Sequence, residues 1–183
     1  SFKIRGKIEA VTSISTGEGL IVGSSKIITW TFTGTITQVK LYYSTDNFAT
    51  ITKTIATVDM SAPKVAYSHP TVASGRHDYS WPVPDDVSPA VRIKVVPTLP
   101  VSDDFSIPVN SNEFKIRGTL KVTSPNSSTY WICNTQEPIQ WEVVGSAITR
   151  VNIAYVEYNA SDVEVDSTTF APNTVATDTI IAL

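Results

Sequence analysis

The sequence predicts an all-β protein of tandem β-sandwiches, the second of them incomplete. Three observations predict this. Apolar residues alternate with polar ones, turn-forming clusters punctuate the alternation, and a long stretch of the chain occurs twice.

The repetition sets the frame. Phe2-Lys3-Ile4-Arg5-Gly6 recurs unchanged as Phe114-Lys115-Ile116-Arg117-Gly118, a period of 112 residues (114 − 2). Lys7-Ile8-Glu9-Ala10-Val11-Thr12-Ser13 then matches Thr119-Leu120-Lys121-Val122-Thr123-Ser124, with one extra residue in the first copy. Ile28-Thr29-Trp30 matches Ile139-Gln140-Trp141. Val39-Lys40-Leu41-Tyr42-Tyr43 matches Val151-Asn152-Ile153-Ala154-Tyr155.

Each element follows from local pattern. In the first strand, Ile8 and Val11 share the core face, as Leu120 and Val122 are expected to, only if a residue loops out near Glu9-Ala10. That predicts a β-bulge. Ile28, Trp30 and Phe32 alternate with Thr29, Thr31 and Thr33, the period of a strand with one buried face. Val39, Leu41 and Tyr43 repeat it, and Ser44-Thr45-Asp46-Asn47 reads as the hairpin turn that follows. Ser74-Gly75 and Pro84-Asp85-Asp86 read as further turns. Trp81 precedes Pro82, which lacks an N–H and so places that strand at an edge or end. Val91, Ile93 and Val95 alternate with Arg92 and Lys94. No segment carries a helical period.

Two framings of the repeat compete. Phe-Lys-Ile-Arg-Gly either opens each repeat or closes it. Ser102 to Glu113 reads as a surface excursion before the strand Phe114–Arg117, which favours closure. Residues 1–6 are then the final strand of a preceding repeat, 7–118 a complete sandwich, and 119–183 a partial one. The last piece has no counterpart of Tyr79-Ser80-Trp81, of Val91 to Val95 or of the closing strand, so a longer polypeptide or a neighbouring copy is expected to complete it. One glycine joins strand to strand at each junction. That is too short for a flexible coil, and a stiff rod is expected.

Composition narrows the function. A net charge of −3 gives no footprint for nucleic acid, and no apolar run nears the roughly 20 residues that span a bilayer. Cys133 is the one cysteine. It excludes an intrachain disulfide and reads as a small buried hydrophobe.

The order of motifs is itself informative: Val22-Gly23-Ser24-Ser25, Ile28-Thr29-Trp30, Val39 to Ser44, Tyr79-Ser80-Trp81-Pro82-Val83-Pro84, Val91 to Val95, Ser102-Asp103 and Phe114-Lys115-Ile116. It resembles the Ig-like, fibronectin-III-like repeats of very large bacterial surface proteins. It is also similar to the Ser/Thr-rich, GPI-anchored cell-wall family of fungi. The resemblance covers residues 7 to 118 and about two-thirds of a repeat beyond. It implies tandem Ig-like sandwiches in an exported, cell-envelope or adhesive setting, with no catalytic residues to carry over.

The candidate sites weigh little against that reading. Trp30 and Trp141 are expected in the two cores, while Trp131 beside Tyr130 either packs at a junction or offers a face to a sugar. The turn at Ser44 partly resembles the Asp-box turn, but Phe48 stands where glycine is expected and Ile51 where tryptophan is. Asp85-Asp86 and Asp103-Asp104 lack the dense spacing of a calcium loop. His69 and His77, the two histidines, sit in a loop-rich segment with no evident nucleophile beside them. Asn126-Ser127-Ser128 and Asn159-Ala160-Ser161 match the N-glycosylation pattern. No catalytic, cofactor-binding or metal-ligating residue is therefore assigned, and no cofactor. The expected role is a stiff spacer, stalk or fibre at the cell surface, not an enzyme. Its expected partners are neighbouring repeats or copies of itself. The alternatives are an adhesive or glycan-binding module, with cell-surface glycans as partners, and an accessory domain of a secreted hydrolase or a virion.

Overall fold

A computed structural model describes residues 6–60, 65–67, 74–99, 108–132, 135–176 and 181–182. The chain divides into two compact units, Ser1–Arg117 and Gly118–Leu183. Phe2 to Arg5, His69, Asp103-Asp104 and Cys133 lie outside the described residues, and so do the expectations attached to them.

In unit 1 the strands are β1 (Lys7–Val11), β2 (Gly19–Ile21), β3 (Ser25–Thr33), β4 (Gln38–Ser44), β5 (Lys53–Asp59), β6 (Val65–Tyr67), β7 (Ser74–Pro82), β8 (Ser88–Leu99), β9 (Val109–Asn110) and β10 (Phe114–Arg117). One sheet runs β1-β3-β7-β6. The other runs β2-β10-β8-β4-β5, with β9 also on β8. Ile8, Val11, Ile28, Trp30 and Phe32 of the first sheet join Val39, Leu41, Tyr43, Val91, Ile93, Val95, Phe114 and Ile116 of the second in one buried core. Two sheets around one core make a sandwich. Strands β1, β3, β7 and β6 stand in the order of the A, B, E and D strands of an immunoglobulin domain, and β10, β8 and β4 in the order G, F and C. Unit 1 is an Ig-like β-sandwich.

The bulge lies where the extra residue predicts. Ile8 pairs with Phe32 and Ala10 with Thr31, so Glu9 is passed over and both Ile8 and Val11 stay buried. The closing strand is held on both edges. Phe114 and Ile116 pair with Val91 and Ser88 of β8, while Lys115 to Arg117 run parallel to Gly19 to Ile21 of β2. Pro82 is the last residue of β7, where a missing N–H costs no ladder bond.

Three expectations need correction. Ser74-Gly75 is not a turn but the start of β7, paired to Phe32 and Thr33, and His77 is likewise a strand residue. The stretch before Phe114 is not wholly an excursion, because Val109–Asn110 pairs with Val95 and Lys94. Ser111 continues that edge. Its N–H donates to the Ile93 carbonyl, and its Oγ accepts the Ile93 N–H at 3.0 Å. Third, Leu120 and Val122 do not share the burial of Ile8 and Val11.

Unit 2 carries β11 (Thr119–Ser124), β12 (Pro138–Val144), β13 (Arg150–Tyr158), β14 (Glu164–Val175) and β15 (Ile181–Ala182). Val122 faces Trp141 as Val11 faces Trp30, so the two copies share one register. Ile139 and Trp141 are buried. Leu120, however, is 49% exposed where Ile8 is 1%, and Tyr155 is 54% exposed where Tyr43 is 7%. The apolar pattern is the same, but less structure covers it among the described residues.

Candidate functional site

The most organised polar cluster of unit 1 lies where β4 ends, and β4 sets it up by alternation. Val39, Leu41 and Tyr43 point into the core, and Ser44 is buried as well at the strand's last position. The Ser44 hydroxyl donates to Asp46 Oδ1 at 2.6 Å and accepts the N–H groups of Asp46 and Phe48. The other carboxylate oxygen of Asp46 accepts the Thr50 N–H, the Thr50 hydroxyl and the Ile51 N–H at 2.7 to 3.0 Å. The Ser44 hydroxyl first, then Thr50 and Ile51, hold the Asp46 carboxyl far below the usual carboxylate range. Asn47 and Phe48 take φ of 57° and 62°, so Phe48 adopts the conformation for which glycine is usually required. Lys94 Nζ lies 3.7 Å from the centre of the Phe48 ring, a cation–π contact that helps hold this strained residue. The turn is thus closed by Ser44 and Asp46, with Phe48 and Ile51 supplying backbone N–H groups to them.

A second carboxylate ties three segments together. Asp86, in the β7–β8 connection, accepts the Tyr43 hydroxyl at 2.9 Å and an ammonium N–H from Lys53 at the start of β5. Lys53 holds the Asp86 carboxyl below its ordinary value, with Tyr43 adding to the effect. Burial, and then Asp86, push the Tyr43 phenol up to about 12. Tyr43 also packs on Trp81, and Trp81 meets the edge of Phe114. Sequence reasoning missed this cluster. Only the turn character of Pro84-Asp85-Asp86 was legible, because the partners are some 33 to 43 residues apart and meet through sheet pairing. Its two hydrogen bonds run from side chain to side chain and tie β4, β5 and the β7–β8 connection together, and the arrangement is that of a clamp.

His77 is a core residue. Its ring stacks on Trp30 with centroids 5.4 Å apart, and its Nδ1 accepts the Asp78 N–H at 3.0 Å. No serine or threonine hydroxyl bonds to it among the described residues. Trp30 and Trp141 occupy the same position in the two units, each with a buried indole N–H that lacks a partner. Among the described residues no group of three or more His, Cys, Asp or Glu side chains could hold a metal ion, and no helix is long and apolar enough to cross a membrane.

Unit 2 contributes a different surface. Between β11 and β12, Tyr130 is 92% exposed, and Trp131 and Ile132 are exposed beside it. Asn126 and Asn159 also lie on the surface. Each accepts the N–H two residues on, Ser128 at 2.9 Å and Ser161 at 2.8 Å.

No family model matches the chain, and no curated protein matches it. Among solved structures, the fibronectin(III)-like modules of Clostridium thermocellum CbhA are similar over 98% of this chain and 78% of theirs, at 16% identity and a TM-score of 0.28. The ectodomain of the teleost fish polymeric Ig receptor is similar over 88% of this chain and 73% of its own, at 10% identity and a TM-score of 0.33. Likeness this slight adds nothing to the fold already read from strand order.

Proposed function

We propose that the chain is a structural segment of a long cell-surface or extracellular protein, in which Ig-like repeats act as a stiff spacer, stalk or fibre. The observation that carries this reading is the connection between repeats. Arg117 ends β10, Thr119 begins β11, and only Gly118 stands between. A one-residue connection has no length in which to behave as a coil. Both junction glycines are also confined by residues of their own unit. A Cβ at Gly6 would overlap Ile36 and the Thr35 carbonyl, and one at Gly118 would overlap the Val144 carbonyl and Ile148. In this reading the polar clusters of unit 1 serve as clamps within a turn and between segments, and His77 serves core packing.

Small-angle scattering on the full chain tests it against a variant with ten Gly/Ser residues inserted after Gly118. The native chain should give a narrow distribution of end-to-end distances, and the insertion should broaden it. Identical distributions would overturn the spacer reading.

One observation favours a second reading, an adhesive module. The exposed Tyr130 and Trp131 give unit 2 an aromatic surface of the kind that stacks on sugar rings. A glycan array probed with the native chain and Trp131→Ala tests it. Binding lost in the variant would support adhesion, and uniform absence of binding would remove it.

A further inference from the structure

The internal repeat bears on the open edge of unit 2. In unit 1, β4 is flanked on both edges. It pairs with β5 on one side, and on the other Gln38 to Ser44 pair antiparallel with Leu99 to Arg92 of β8. The counterpart of β4 is β13, by the match of Val39-Lys40-Leu41 to Val151-Asn152-Ile153. β13 pairs with β14 as β4 pairs with β5, and no strand lies on its other edge among the described residues. The side chains follow suit. Val39, Leu41 and Tyr43 are buried, whereas of their counterparts Val151 and Ile153 are only half-buried and Tyr155 is exposed. A two-stranded ribbon is marginal in water, and an open strand edge is a template for a further strand.

We propose that β13 receives a β8-type strand from a further segment of the same polypeptide, laid antiparallel along its open edge. This rests on the reading of the chain as one stretch of a longer array. The chemistry of the occupant is set by β8. Val91, Ile93 and Val95 point inward and are fully buried, and Arg92 and Lys94 alternate with them. Main-chain bonds supply affinity in such strand addition, and alternate side chains supply specificity.

The test appends a second copy of residues 74–118 after Leu183 of the full chain and follows amide hydrogen exchange along β13. Protection of the β13 amides that do not bond β14 should rise at least about tenfold, while β4 stays unchanged. An appended copy carrying V91D, I93D and V95D should give no gain. As a measurement independent of folding of the extension, a synthetic Ser88–Leu99 peptide added to the unextended chain should protect the same amides in a saturable way. Three results would overturn the proposal. One is that neither addition protects β13, and another is that β13 is already protected in the monomer. The last is protection that rises with concentration of the unextended chain alone, which would make a second copy the occupant. The scattering experiment on the junction is independent of all of these, so failure here and failure of the spacer reading are distinguishable.

Discussion

Asp46 gathers its donors from Ser44, Thr50 and Ile51, and Asp86 gathers its own from Tyr43 and Lys53. Both carboxyls are held below their ordinary values. A depressed carboxyl contributes stability that is present above the unfolded value, near about 3.9, and is lost as pH falls through the folded one. Unit 1 should therefore lose stability as pH drops below about 4, and Asp86→Asn should flatten that loss in a series of melts from pH 6 to 2. The phenol of Tyr43 behaves oppositely. Its value is raised to about 12, so its contribution is full below about 10, the unfolded value, and disappears as pH climbs toward 12. Tyr43→Phe should remove this alkaline limb, and an unchanged limb would show that another group causes it. Ser44→Ala leaves the half-buried N–H groups of Asp46 and Phe48 without their acceptor. Denaturant titration should show a loss of about 1–3 kcal/mol.

Strands β1 and β11 solve the same problem in two ways. The first places Ile8 and Val11 on one face across a bulge, whereas the second spaces Leu120 and Val122 by two and runs straight from Thr119 to Val122. Deleting Glu9 should turn β1 into a strand of the β11 kind with both apolar residues still inward. The cost is confined to the exposed Lys7 and Thr33 contacts of Glu9. Chemical denaturation should place it below about 1 kcal/mol. A loss of several kcal/mol would mean that the bulge itself is required. Inserting one residue between Ile28 and Thr29 is the contrasting case. It turns half of β3 inside out, carries Trp30 and Phe32 to the outer face, and should abolish folding of unit 1.

At the scale of the molecule, the two units use matched sequence to unequal effect. Gly118→Ala drives a methyl group into the Val144 carbonyl, which as backbone cannot swing aside. Unit 2 should lose about 1–3 kcal/mol, in the range of overpacked sites, with unit 1 unchanged. Exchange rates of β12 and β3 amides read the two units separately. Equal losses in both would show that the units unfold as one body.

What the sequence determined by itself is the part governed by period and local chain chemistry. Alternation placed β3, β4 and the central part of β8, the extra residue placed the bulge, and the repeat gave β12 and β13 from their counterparts in unit 1. These follow from residues near one another in the chain, because side chains alternate along a strand whatever it pairs with. Tertiary structure decided what lies across the sandwich. It made Ser74-Gly75 strand and not turn, put His77 on Trp30, joined Asp86 to Tyr43 and Lys53, and gave Ser111 a place beside β8. It also separated Ile8 from Leu120, two residues with the same pattern around them and opposite exposure. Pattern states which face of a strand is apolar, but only the neighbouring strands decide whether that face is covered.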